Sequence, residues 1–361
     1  ASYQQLHTDL HDLTGQGGEN RICYMSIPPF LFLDVARAIC DAGLVHKERP
    51  GWTRVVIEKP FGRDRASSDD LTRGMAQAFT AEQTYRIDHY LGKEIIQNLM
   101  VLRFANSIFD PIWNRHYVHD VRISWMENLS LEGRAGYFDQ YGIIRDVMQN
   151  HLLQILALVA MEQPVTLAAD DVRDEKVKVL RAIPPLRRDN LVVGQYRAGV
   201  LDGRQHFGYL DEEGTPPDSI TPTYAAAVLH IHNRRWEGVP FCVRAGKGLN
   251  SSMTEIRIRF QEAPGNIFTR ESVKLPRNEL VIRVQPDAGI QFRIRNKVPG
   301  LGIALDESNL DLRYAAVFEG VIPDAYESLL LDVLKGDKSL FIRADELAVA
   351  WEGGGGTDLM A

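Results

Sequence analysis

The chain has 361 residues, 45% apolar and 25% charged, which is material for a sizeable core and about two domains. Its 41 basic and 48 acidic side chains leave a net charge of −7 with no basic run, which argues against a nucleic-acid backbone as partner. No apolar stretch reaches the roughly 20 residues of a membrane-spanning helix, and three scattered cysteines without a C-x-x-C pair point to a reducing, cytoplasmic setting with neither disulfide frame nor zinc site.

The chain opens at Ala1, without methionine and inside a helical pattern, as a fragment of a longer polypeptide does. Residues 21–27 read as an apolar strand stopped by Pro28-Pro29, and 30–42 as a helix with Phe30, Leu33, Ala36 and Ile39 on its apolar side. Residues 52–58 read as a second buried strand, ended by Lys59-Pro60-Phe61-Gly62. Strand, helix, strand in this rhythm predicts a parallel α/β unit, which places ligands beyond the carboxyl ends of its strands, where Pro29 and Lys59 fall. The spacing then predicts helices over 93–106 and 143–161, the second strongly apolar but interrupted by Gln154. Between them, 121–127 alternates, with Val121, Ile123 and Trp125 on the face that Glu127 closes. Such a carboxylate either ends in solvent or points into a pocket. From Ala225 the period becomes two, over 225–232, 241–244, 255–260, 279–285 and 290–295, which predicts an antiparallel sheet with one face covered. The fold class read here is α/β plus α+β. A partial Rossmann-like coenzyme domain over 1–87 precedes a larger domain over 88–361, with a mostly antiparallel sheet and helices on one face.

Some patterns carry no chemistry. Residues 15–20 (GQGGEN) begin like a dinucleotide fingerprint but lack its third glycine and its preceding strand. Gly246-Lys247 is not a phosphate loop, because Phe241 stands where the earlier glycine belongs. His230 and His232 share a predicted strand face without further ligands, so no metal site is expected.

The dense signal is Arg86-Ile87-Asp88-His89-Tyr90-Leu91-Gly92-Lys93-Glu94. A helix starting near Gly92-Lys93 gathers His89, Tyr90 and Lys93 at its amino end, where free N–H groups and the dipole attract an anion. Lysine in a first turn opposes the dipole, and a bound anion offsets that cost. The competing reading is a solvated loop. A second signal is Asp146 and His151, one turn apart on the apolar helix. A lone histidine there is a satisfied core residue, whereas one with a carboxylate partner is a base tuned near neutral pH. Asp88 is that partner only if the fold brings the two together, which spacing does not decide.

Residues 57–62 (IEKPFG), 86–94 (RIDHYLGKE) and 142–153 (GIIRDVMQNHLL), with 170–176, 277–286 and 324–327, resemble the glucose-6-phosphate dehydrogenase family. The resemblance runs from about Arg21 to Trp351. It implies oxidation of C1 of glucose 6-phosphate to 6-phosphogluconolactone with hydride transfer to NADP, the first step of the oxidative pentose phosphate pathway, with no metal. It implies His151 and Asp88 as the catalytic pair, and Lys59, His89, Tyr90, Lys93, Glu127, Asp146, Lys247 and Gln285 as substrate contacts. Lys59 and Pro29 are implied beside the coenzyme, and Arg244, Arg257, Arg283 and Asp311 as a candidate second, structural NADP site. The larger domain is implied to mediate a homodimer or homotetramer. The family's Gly-x-x-Gly-Asp pyrophosphate element does not occur in the sequence, so a segment is expected to precede Ala1. Ser251-Ser252-Met253 stands where the family has a basic pair. Met253, Gln291 and the glycine run at 353–356 argue against a tightly held structural coenzyme. Two other readings are a non-catalytic sugar-phosphate-binding fragment and a glucose–fructose oxidoreductase-like NAD(P) enzyme; the latter shares Glu58-Lys59-Pro60 but not 86–94.

Overall fold

Two sheets of opposite character organise the chain. The computed structural model describes residues 2–14, 20–45, 51–201, 203–269, 275–318, 320 and 322–353; the glycine-rich stretch over 15–19 and the tail beyond Gly353 lie outside the described residues. The first layer runs α1 (Ser2–Thr14), β1 (Arg21–Met25), α2 (Phe32–Asp41), β2 (Thr53–Ile57), α3 (Arg65–Ala78) and β3 (Thr84–Arg86), with the strands parallel in the order β1-β2-β3. Val55, Val56 and Ile57 are buried on both faces, as a parallel strand between helices requires. β1 ends two residues earlier than the pattern predicts. The chain turns at Pro28 through Pro29–Leu31 into α2, since proline has no N–H for the ladder. α3 starts where the Asp64 carboxylate accepts the Ser67 N–H at 2.7 Å and the Ser67 hydroxyl accepts the Asp64 N–H at 3.1 Å.

The second layer begins with α4 (Glu94–Phe104), β4 (Val118–Met126) and α5 (Ala135–Phe138). The single helix predicted over 143–161 is two pieces: a π-helical stretch Ile144–Leu152 running into α6 (Leu153–Ala160). The Leu153 N–H reaches the Met148 carbonyl, five residues back, where an α-helix would reach four. An apolar pattern cannot reveal this wider winding, because both helices bury the same residues. Then come α7 (Ala169–Arg181), β5 (Leu191–Gly194), the hairpin β6 (Gly199–Leu201) and β7 (Arg204–His206), β8 (Tyr224–Leu229), β9 (Phe241–Gly246), β10 (Met253–Phe260), β11 (Glu279–Gln285), β12 (Gly289–Lys297), β13 (Leu305–Arg313), α8 (Tyr314–Val317), α9 (Ala325–Lys335) and α10 (Ala344–Gly353). Eight strands form one sheet in the order β13-β12-β11-β10-β4-β9-β8-β5, antiparallel except for β4 beside β9. β8 stops at Leu229, so His230 and His232 lie beyond the strand rather than on a face of it; His232 pairs with Glu237 at 3.1 Å.

α6 is buried along its whole length, and its carboxyl end is tied down by side chains. Arg103 donates to the Leu158 and Met161 carbonyls at 2.6 Å each, Trp113 to that of Val159 at 2.9 Å and Trp236 to that of Ala160 at 2.8 Å. These four carbonyls have no partner inside a helix, so the donors satisfy groups that burial would otherwise penalise. The helix that follows the π-helical stretch is thereby fixed in position.

The carboxy-terminal helices return to the first layer. Leu329 and Val333 of α9, with Phe341, pack on Val56, Tyr85 and Ile87, and the Tyr85 and Phe341 rings meet edge-on at 4.9 Å. A Cβ on Gly92 would lie 2.5 Å from the Ala325 carbonyl oxygen and 2.9 Å from Leu329 Cγ, so only glycine lets α9 seat against this corner. Gln154, the polar break in the apolar run, accepts from Lys176 of α7 at 3.0 Å, and Lys176 pairs with Glu346 of α10 at 2.8 Å with both side chains fully buried. A buried ion pair of this kind costs desolvation, but removing one partner costs more.

Candidate active site

The loop after β3 and the π-helical stretch meet in the core. His151 Nδ1 lies 2.5 Å from Asp88 Oδ1, and the two side chains are 3% and 2% exposed. The same Asp88 oxygen accepts the Tyr90 N–H at 2.9 Å, which folds 88–90 tightly in front of α4. Asp88 Oδ2 is buried without a hydrogen-bond partner among the described residues. Burial holds His151 below its ordinary pKa against the opposing pull of Asp88, so the imidazole is neutral at pH 7. Burial alone would raise Asp88, but His151 and the Tyr90 N–H outweigh it and keep the carboxyl ionised. A neutral histidine bound through Nδ1 to a carboxylate keeps Nε2 for the cavity that it lines. That is the arrangement of a general base whose conjugate acid the carboxylate stabilises. Asp88, His89 and His151 also place ligand-type atoms within 4.8 Å of one another, but the Asp88–His151 bond commits two of them to each other.

The cavity, about 790 Å³, lies between the two layers and is lined by Lys59, His89, Tyr90, Glu127, Asp146, His151, Lys247 and Gln285 among others. Lys59 follows β2 at a cis Lys59–Pro60 bond, and its ammonium donates to Asp146 Oδ1 at 3.1 Å and to the Asp146 carbonyl at 2.8 Å. Lys247, just past β9, donates to Glu127 Oε2 at 2.7 Å and stands 3.8 Å from Asp146 Oδ2. Burial tends to raise Asp146, yet the two lysines prevail and hold it below the usual carboxylate range. Glu127 therefore points into a pocket rather than into solvent. His89 is pushed down to about 4 by burial first and then by His151, whose ring meets it edge-on at 4.7 Å. It offers a neutral N–H, and its ring also meets Tyr90 at 4.9 Å and stacks on Tyr326 at 5.9 Å.

Lys93 is the N-cap residue of α4, and its ammonium stands 5.3 Å from the centre of the Tyr90 ring. Among the described residues it pairs with no carboxylate. The corner thus combines free helix N–H groups with an unpaired cation, as an anion site needs.

The remaining predicted residues lie elsewhere. Pro29 sits in the turn after β1 and does not line this cavity. Arg244, Arg257, Arg283 and Asp311 are on strands of the large sheet. Arg244 donates to Ser124 at 2.8 Å, and Arg257 pairs with Glu255 and Glu279. Arg283 and Asp311 line a separate hollow of about 100 Å³ with Asp287, Gln291 and Arg313. Sequence reasoning placed Trp125 on an apolar face and missed that its indole N–H donates to the Tyr90 hydroxyl at 2.5 Å; the one available signal was an indole two residues from a carboxylate on the same face. It also missed Tyr326, which reaches the cavity only because α9 returns.

A family model for the glucose-6-phosphate dehydrogenase C-terminal domain matches residues 100–353, and one for the NAD binding domain matches residues 1–98. The chain is 53% identical over 353 residues to glucose-6-phosphate 1-dehydrogenase 1, chloroplastic, of Arabidopsis thaliana, covering 97% of this chain and 61% of that protein. It is 49% identical over 338 residues to the cytoplasmic form 6 of the same plant, covering 93% and 63%. A solved structure described as glucose-6-phosphate dehydrogenase in complex with its substrate glucose-6-phosphate superposes with a TM-score of 0.90 at 42% identity, over 98% of this chain and 72% of that one. The chain spans about three-fifths of the length of the curated relatives it matches. With both domain models matched along its length, the chain belongs to the glucose-6-phosphate dehydrogenase family.

Proposed function

We propose that the cavity binds glucose 6-phosphate and that the protein oxidises its C1 to give 6-phosphogluconolactone, with NADP as coenzyme. His89, Tyr90 and Lys93 hold the phosphate at the start of α4. Glu127 and Asp146 accept hydrogen bonds from sugar hydroxyls, while Lys59, Lys247 and Gln285 complete the wall. His151 Nε2 takes the proton of the C1 hydroxyl as the C1–O bond becomes a carbonyl, and Asp88 holds the ring and stabilises the imidazolium. Pro29 and Lys59 follow the carboxyl ends of β1 and β2, where an open parallel sheet receives a ligand, and Lys59 walls the same cavity as His151; these residues fit a nicotinamide on that side. When bound, NADP accepts the hydride that leaves C1. The observation that carries this reading is the buried, neutral His151 bound to Asp88 beside a corner built for an anion. The solved relative described as a complex with glucose-6-phosphate supports it.

Calorimetry with glucose 6-phosphate and with glucose, followed by absorbance of reduced coenzyme, tests it. Binding of the phosphate ester but not of glucose, with NADP reduction, is expected. Binding without reduction favours a sugar-phosphate-binding fragment, and a preference for free glucose favours the glucose–fructose oxidoreductase-like reading.

We infer that the chain associates with itself as a homodimer or homotetramer. β13 is a long edge strand carrying exposed Leu310 and Leu312, a surface that suits a second copy. A monomer by light scattering at micromolar concentration would rule this out. Arg257 is already neutralised by Glu255 and Glu279, so a firmly held second NADP is not expected. Among the described residues no helix is long and apolar enough to cross a membrane, and a cytoplasmic setting remains the reading of the cysteine pattern, with relatives named for both chloroplast and cytoplasm.

A further inference from the structure

We propose that Trp125 is a positioning residue that sets the polarity of the anion corner: its indole N–H holds the Tyr90 hydroxyl oxygen as an acceptor, so that the hydroxyl hydrogen is left for a bound phosphate. This rests on the reading that the cavity takes a sugar phosphate, and it assigns a task to a side chain outside the substrate contacts named above.

The geometry is a bracket of two aromatic side chains, both buried, at the ends of which stand two lysines. Trp125 is 8% exposed and Tyr90 2%, and Trp125 Nε1 lies 2.5 Å from Tyr90 Oη. Indole N–H only donates, so in this bond the Tyr90 oxygen must accept. A phenol has one hydrogen. Its other neighbour, the fully buried Thr254 hydroxyl, is at 3.3 Å, a longer and weaker contact that Thr254 can itself donate. With its lone pairs engaged by Trp125 and Thr254, Tyr90 presents its hydrogen toward the cavity that it lines. Without the indole donor, the hydrogen can turn to Thr254 and present a lone pair to the anion, which repels it.

The ring faces act in the same direction. Lys247 Nζ lies 4.8 Å from the centre of the Trp125 ring, and Lys93 Nζ lies 5.3 Å from that of Tyr90. One indole therefore steadies a cation with its face while it orients a hydroxyl with its edge. Phenylalanine keeps the face and loses the edge donor, which makes Trp125→Phe the selective probe.

Calorimetry on the whole chain with glucose 6-phosphate, inorganic phosphate and glucose tests this. Trp125→Phe is expected to weaken glucose 6-phosphate and inorganic phosphate about tenfold, with glucose changed by less than about twofold. In a Tyr90→Phe background the same substitution is expected to cost nothing further. Unchanged phosphate affinity, a loss shared equally by glucose, or additive effects in the double variant would each overturn the proposal. If Trp125→Phe does not fold, the unaltered chain decides: the assigned indole N–H resonance of Trp125 shifts on adding inorganic phosphate, and an unmoved resonance counts against the role. Should the unaltered chain bind no glucose 6-phosphate, the reading of the cavity fails first, and that result is distinct from a silent Trp125.

Discussion

The molecule carries two collections of basic side chains, and they differ in what surrounds each one. On the polar face of the large sheet, Arg259 pairs with Asp120 at 3.1 Å and Glu279 at 3.2 Å, Arg293 meets Glu279 at 3.6 Å, and Arg295 meets Glu307 at 2.8 Å. Every one of these guanidinium groups has a carboxylate from a neighbouring strand, as cross-strand pairing favours. In the cavity Lys59 and Lys247 are paired as well, but at its edge, beside Tyr90, Lys93 pairs with no carboxylate among the described residues, stands at a helix amino end and rests on an aromatic ring. The number of positive groups therefore does not mark an anion site. Positive charge that the protein has not already paired, set at a helix amino end, does.

The sharpest way to break this comparison is at the base. His151→Asn is expected to lower turnover about 10³-fold while glucose 6-phosphate binding changes less than about threefold, read by coenzyme reduction and by calorimetry. Retained turnover would remove His151 from the chemistry. Asp88→Asn is expected to cost about 10²-fold in turnover. Because Asp88 raises the His151 pKa against the depression by burial, removing its charge lowers that pKa further, and the acid limb of kcat/KM moves to lower pH. A limb that stays in place would show that another group titrates. Lys93→Met is expected to weaken glucose 6-phosphate about thirtyfold and leave glucose unchanged, which sharpens the contrast with the sheet. The smallest effect belongs to the sheet itself. Arg295→Ala should leave ligand binding intact and cost less than about 1 kcal/mol in a thermal melt. A marked loss of sugar-phosphate affinity there would erase the distinction between the two regions.

Much of this was legible before any coordinates. The 86–94 stretch is local, so its helix start and the gathering of His89, Tyr90 and Lys93 follow from adjacent residues. The antiparallel strands with clean alternation, such as Glu279–Gln285, were readable for the same reason. β13 was not, because Leu305–Arg313 is exposed along most of its length and past Leu305 only Leu310 and Leu312 break its polar run, too short an alternation to mark a strand. The Asp88–His151 pair joins residues 63 apart and depends on two layers meeting, which no pattern within either segment encodes. The same holds for Tyr326, brought to the cavity by a helix that packs back on Val56 and Ile87. Gln154 shows a subtler failure: read as a flaw in an apolar run, it is the partner of a buried ammonium.

The wide winding of Ile144–Leu152 has a genetic consequence. Such a coil holds one residue more than an ordinary helix needs for the same turns, so excising a single codon between Arg145 and Asn150 would let the segment relax to regular winding. The relaxed helix would gain better backbone geometry and still bury its aliphatic residues, so the protein would remain folded. Because removing the surplus residue keeps the flanks in register, the imidazole would still face its carboxylate; regular winding with every residue retained would instead turn it about 100° away. At this one place the loss of a codon leaves the histidine aimed, whereas the loss of the wide winding alone does not.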